Sequence, residues 1–81
     1  MYEVIADIQN LKLYVTLRQL DGTGIKEMVQ NIEQECYKLL PGFTCLIVLP
    51  KGRLLKQMDL DILMNIEDLI HAYGASKLIR V

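Results

Sequence analysis

The sequence predicts a single α/β domain with element order β-β-α-β-α-β and a mixed four-stranded sheet carrying both helices on one face. Three observations lead there. An apolar run, Phe43 to Leu49, lies between the turn signals Pro41-Gly42 and Pro50 and has the pattern of a strand buried on both faces. Helix-spaced segments flank it on either side, and two alternating segments precede them. At 81 residues, residues 1–81 form one domain near the lower limit for a single core.

Each element follows from its spacing. Tyr2 to Gln9 alternates, placing Tyr2, Val4, Ala6 and Ile8 on one face and Glu3, Ile5, Asp7 and Gln9 on the other. Lys12 to Arg18 repeats the pattern, with Leu13, Val15 and Leu17 set against Lys12, Tyr14, Thr16 and Arg18. Separated by Asn10-Leu11, the two runs predict an antiparallel hairpin. Its turn is chemically weak because no glycine follows Asn10.

Asp21-Gly22-Thr23-Gly24 offers N-cap chemistry for a helix of about four turns, with Ile25, Met28, Val29, Ile32, Cys36, Leu39 and Leu40 on its apolar side. Pro41-Gly42 ends that helix. A second helix is expected to begin between Leu54 and Asp61, with Ile62, Ile66, Leu69, Ile70 and Tyr73 as its core stripe, widened by Leu63 and Met64. Gly74 supplies its left-handed stop, and Lys77 to Val81 forms the closing strand.

Strand-helix-strand units favour right-handed crossovers between parallel strands, so strands two to four are expected to run parallel. If strand order follows chain order, both helices fall on one face and the other stays bare. A different strand order would put a helix on each. In the first case the bare face carries Ile5, Tyr14, Thr16, Leu46, Val48 and Ile79, mixed with Glu3, Asp7, Lys12 and Arg18. A patch of several hundred Å² results, near the upper limit for a monomer. Ile5, Tyr14, Leu46 and Val48 are therefore the candidate interface, for a homodimer or a protein partner.

Composition narrows the function classes. The chain is 52% hydrophobic and 23% charged, with a net charge of −1. Lysines and arginines are dispersed and do not alternate with aromatics, so no nucleic-acid footprint is present. No apolar run approaches the ~18 residues of a membrane span. The acidic N-terminus lacks the basic and apolar blocks of a secretion signal, which points to the cytoplasm.

Chemistry-bearing residues are sparse. His71 is the one histidine, near the end of the second helix, where it suits the helix dipole. Asp59 and Asp61 precede or open that helix without the glycine and glutamate of a calcium loop, and suit amide capping. Cys36 and Cys45 match no zinc spacing; they read as buried free thiols, with a disulfide between helix and strand as the alternative. No catalytic set, metal site or cofactor is expected. The best ligand candidate is Lys51-Gly52-Arg53, a basic loop after the carboxyl end of the central strand, which would take a small anion.

Leu13-Tyr14-Val15-Thr16-Leu17, then Lys38-Leu39-Leu40-Pro41-Gly42-Phe43-Thr44, then the closing segment from Ala72 to Val81 together resemble the small bacterial STAS-like domains, relatives of the anti-sigma-factor antagonist of sporulation. The resemblance covers nearly the whole chain in element order, and implies a non-catalytic regulatory domain working by protein contact. In the regulatory members it would also imply phosphorylation of a Ser or Thr in the loop after the central strand, commonly preceded by Asp. Here residues 49–56 contain neither, and no Ser or Thr occurs between Cys45 and Ala75. The phospho-switch therefore does not transfer. The family's final helix has no counterpart after the fourth strand, and the expectation is an open sheet edge that favours pairing between subunits.

Overall fold

The structure, a computed structural model, describes residues 2–18, 24–50 and 56–81. Its elements are β1 (Tyr2–Asp7), β2 (Lys12–Leu17), α1 (Ile25–Cys36), β3 (Thr44–Val48), α2 (Gln57–Ala72) and β4 (Lys77–Arg80). The sheet order is β1-β2-β3-β4, antiparallel between β1 and β2 and parallel thereafter. The predicted fold class and strand directions hold.

Register decides which face the helices cover. Val4 pairs with Val15, Val15 with Ile47 and Ile47 with Arg80, so these four side chains share one face. On that face Asn31 of α1 bonds the Tyr2 hydroxyl, and Glu67 of α2 holds Arg80 through two bonds of 2.6 and 2.7 Å. Both helices thus lie on the same side. The core between them and the sheet is built on the central strands, with Leu13, Val15, Leu17, Cys45 and Ile47 meeting Met28, Ile32 and Cys36 of α1 and Leu63, Ile66 and Ile70 of α2.

The hairpin shows how packing overrides weak turn chemistry. β1 stops at Asp7, two residues before the alternation ends, because Ile8 to Leu11 form the turn and leave Ile8 exposed. Asp7 accepts bonds from the backbone and side-chain nitrogens of Asn10, at 3.2 and 2.8 Å. Those bonds, from Asn10 above all, lower the Asp7 carboxyl's proton affinity. Leu11 then takes the left-handed conformation, φ 54°, that a glycine would fill without strain. Its side chain packs against the core and its carbonyl accepts the Thr44 N–H, so tertiary contacts hold the strained residue.

Both helices differ in detail from their sequence patterns. α1 ends at Cys36, not Leu40: the chain tightens through Tyr37 and Lys38, burying Leu39 and leaving Leu40 exposed. Of the expected N-cap stretch, Asp21, Gly22 and Thr23 lie outside the described residues; Gly24 caps α1 in the left-handed region with no side-chain bond. In α2 the buried stripe is Asp59, Leu63, Ile66 and Ile70, a 4-3-4 spacing that turns the neighbouring Met64 into solvent. Asp59 is buried because its carboxylate accepts the Lys56 N–H at 3.0 Å and so caps the helix start.

Gly74 ends α2 as expected, at φ 119°. A Cβ there would lie 3.3 Å from the Pro41 Cα and 3.5 Å from its Cβ. The close approach exists because the Gly74 carbonyl takes the Gly42 N–H at 2.7 Å, joining the end of α2 to the entrance of β3. Ser76 completes this junction, donating from its hydroxyl to the Gly42 carbonyl and from its backbone to that of Phe43. Gly74→Ala combines a disfavoured φ with a contact to backbone, and is expected to cost about 1–3 kcal/mol in urea denaturation. A loss below a few tenths would show that the junction yields freely.

Candidate functional site: the uncovered sheet face

The face away from the helices is organised in rows by strand register. Ile5 pairs with Tyr14, Tyr14 with Leu46 and Leu46 with Ile79, so one apolar row crosses all four strands. Its ends are open, with Ile5 49% and Ile79 38% exposed, and its centre is half-buried between neighbours. On one side run Glu3, Thr16 and Val48; on the other Asp7, Lys12, Thr44 and Lys77. The structure therefore brings the four candidate interface residues together: Ile5, Tyr14 and Leu46 in one row, with Val48 beside Leu46 on the same face. No element among the described residues covers them.

The sheet edges are better defended than the face. On β1 the Ala6 N–H bonds the Glu35 carboxylate at 3.2 Å, closing one of the donors that an added strand would need. Lys38, above all, holds that carboxyl below its ordinary range through a 2.6 Å ion pair, so it stays an acceptor. β4 is four residues long and carries Lys77 and Arg80. Charge and shortness blunt that edge too. Sequence reasoning singled out the β4 edge as a pairing surface; at the opposite edge it missed Glu35, whose role depends on α1 lying beside β1.

Nothing resembling catalytic machinery gathers among the described residues. His71 Nδ1 sits 3.2 Å from the Ala75 carbonyl, across the turn that ends α2. Ser76 is engaged at the β3 entrance, and Asp61 accepts from the Gln57 side chain at 3.0 Å. These bonds account for each as local structure. Cys36 and Cys45 are both buried and both free. Burial pushes the Cys36 thiol up to about 11 and the Cys45 thiol up to about 12, so neither is a ready nucleophile at neutral pH. Among the described residues no three or more His, Cys, Asp or Glu stand where they would hold a metal ion.

The polar grooves beside the helices add little. One, of about 470 Å³, is lined by Tyr2, Glu3, Val4, Glu27, Asn31 and Glu35, and of these acids Glu35 already serves Ala6 and Lys38. Another, of about 480 Å³, holds Glu67 and Arg80, which neutralise each other. Lys51, Gly52 and Arg53, the candidate anion loop, lie outside the described residues. No described helix is long and apolar enough to cross a membrane. Compared with known proteins, the chain matches no family model, no curated protein and no solved structure.

Proposed function

We propose that this chain is a non-catalytic, cytoplasmic interaction domain that works by burying its uncovered sheet face against protein. The observation that carries this reading is the apolar row Ile5, Tyr14, Leu46 and Ile79, continuous across four strands, with exposed ends, a half-buried centre and no described element over it. Burying apolar surface contributes about 25 cal/mol per Å², so covering a few hundred Å² contributes several kcal/mol. That is comparable with the whole net stability of so small a domain. The resemblance to STAS-like domains supports the same kind of role, without their phospho-switch.

Leu46→Glu places a charge at the middle of the row while leaving the helix-facing core untouched. Sedimentation equilibrium is expected to show association lost, by at least about tenfold in Kd, with the circular-dichroism melt retained. Unchanged association in a folded variant would end the reading. The competing reading is a small-anion sensor using Lys51, Gly52 and Arg53, favoured by the loop's place after β3, a central strand flanked by parallel neighbours. Under that reading inorganic phosphate raises the melting temperature and Arg53→Ala abolishes the rise; under ours phosphate has no such effect.

A further inference from the structure

Resting on the sheet-face reading above, we propose that the occupant of this face is a second copy of the chain. The two-fold axis runs parallel to the strands and lays β1 over the partner's β4 and β2 over the partner's β3. Symmetry allows two simple ways to stack this face on itself, and the charges separate them. An axis parallel to the strands keeps every row on itself, so Asp7 of β1 meets the partner's Lys77 on β4, and Lys12 meets the partner's Thr44. An axis along the apolar row keeps every strand on itself and exchanges the flanking rows. Glu3 would then face the partner's Asp7, twice over, at the rim of an apolar contact. Opposite charges meet in the first arrangement and like charges in the second, so the first is selected.

Apolar fit agrees with charge. In the selected arrangement Ile5 lies against the partner's Ile79 and Tyr14 against the partner's Leu46, so each aromatic ring meets an aliphatic chain. The other arrangement sets Tyr14 on the partner's Tyr14 and Ile5 on the partner's Ile5. Strands of six, six, five and four residues, rising about 3.3 Å per residue and spaced about 4.8 Å apart, give roughly 330 Å² of plane per copy. With side-chain relief the pair buries roughly 1,000 Å², the lower limit for a specific interface. Edge pairing competes poorly, because Glu35 occupies the Ala6 donor and β4 is short and basic. Aligned sheets about 10 Å apart cross at about 30°, which the row pattern accommodates.

Cysteine cross-linking tests the arrangement, because the two native thiols are buried and Ile5 and Ile79 are exposed. Ile5→Cys and Ile79→Cys are prepared separately and treated with a bismaleimide spanning about 8 Å. The selected arrangement sets the two positions face to face across about 10 Å of backbone separation, but holds Ile5 about 17 Å from its own symmetry mate. Cross-linked dimer is therefore expected from the mixed variants and not from either alone. Self-linking of either variant alone would overturn the axis while leaving the face as the contact surface. A wild-type monomer in sedimentation equilibrium up to about 1 mM would overturn the second copy as occupant. An unchanged dimer in folded Leu46→Glu would instead overturn the sheet-face reading itself. Lys77→Glu is expected to raise the dimer Kd about five- to tenfold, and an unchanged Kd would remove the charge basis for choosing this axis.

Discussion

Replacing Phe43 with alanine is expected to remove about 3–5 kcal/mol of stability, the largest effect of any single substitution considered for this chain. Phe43 is fully buried at the point where the chain leaves α1 and enters β3. Its ring lies within reach of the Gly74 position: a Cβ there would be 3.7 Å from the Phe43 Cε1. Its carbonyl accepts the Ser76 N–H at 2.9 Å. The residue therefore joins three parts of the fold: the end of α2, the start of β4 and the central strand. Alanine would leave a cavity that neither the hydrogen-bonded Gly42–Gly74 junction nor the parallel β3–β4 pairing can close by relaxing. At about 0.05–0.15 kcal/mol per residue, a domain of 81 residues holds roughly 4–12 kcal/mol in total. Phe43→Ala should thus lose from about a quarter of that stability to all of it, with Phe43→Leu retaining most of the native signal. Urea denaturation followed by circular dichroism reads both. A loss under about 1 kcal/mol for the alanine variant would mean the ring contributes little to the core.

The second large effect is loss of stability in alkali. Cys36 and Cys45 have thiols pushed up from an ordinary 9.0 to about 11 and about 12, in each case first by burial. For Cys45 the next contributions are negative charge on Cys36 and on Glu67, and for Cys36 the charge on Glu35. An acid whose folded pKa is raised keeps its proton in the native state after the unfolded chain has released it. Stability is therefore complete below about pH 9 and falls as pH rises toward 11 and 12. Each thiol removes up to about 1.4 kcal/mol per pH unit in that window. Tyr73 acts in the same direction above pH 10: its hydroxyl donates to Glu33 at 2.7 Å, and that bond, more than its burial, raises it to about 12. Solvent reaches this pair, so its share is smaller than that of the thiols. Unfolding free energies at pH 8 and pH 10.5 are expected to differ by a few kcal/mol. Cys45→Ala should flatten the pH dependence even though the smaller side chain lowers stability at neutral pH. A slope left undiminished in Cys36→Ala/Cys45→Ala, beyond the smaller share from Tyr73, would place the titrating groups elsewhere.

Much of this molecule was legible because its signals are local and periodic. Alternation in β1 and β2 places Leu13, Val15 and Leu17 in the core and Tyr14 on the bare face, since a strand's side chains have a fixed period of two. Gly74 marks the end of α2 by backbone chemistry that holds in almost any context. The shared face of the candidate interface residues Ile5, Tyr14, Leu46 and Val48 followed from that alternation once chain-order strand pairing was assumed.

Where the sequence misplaced elements, long-range packing supplied the missing information. Leu39 and Leu40 continue the helical spacing of α1, but the chain leaves the helix at Cys36 and tightens, which buries Leu39 in the core and exposes Leu40. Leu63 and Met64 are equally apolar, and only the direction of the sheet beneath α2 decides that Leu63 is enclosed and Met64 exposed. Leu11 has no turn preference for a left-handed φ, and is held there by its core contact and by Thr44.

The sequence by itself determined the element order, the strand faces and the absence of a phospho-acceptor after β3, because each depends on neighbours in the chain. Tertiary structure alone decided that strand order follows chain order, that both helices share one face, and that Glu35 closes part of the β1 edge. Those outcomes depend on contacts between residues as far apart as Ala6 and Glu35 or Glu67 and Arg80, whose meeting no local pattern encodes. The apolar row across four strands is the joint product: its residues were written in the alternation, and its continuity was set by register.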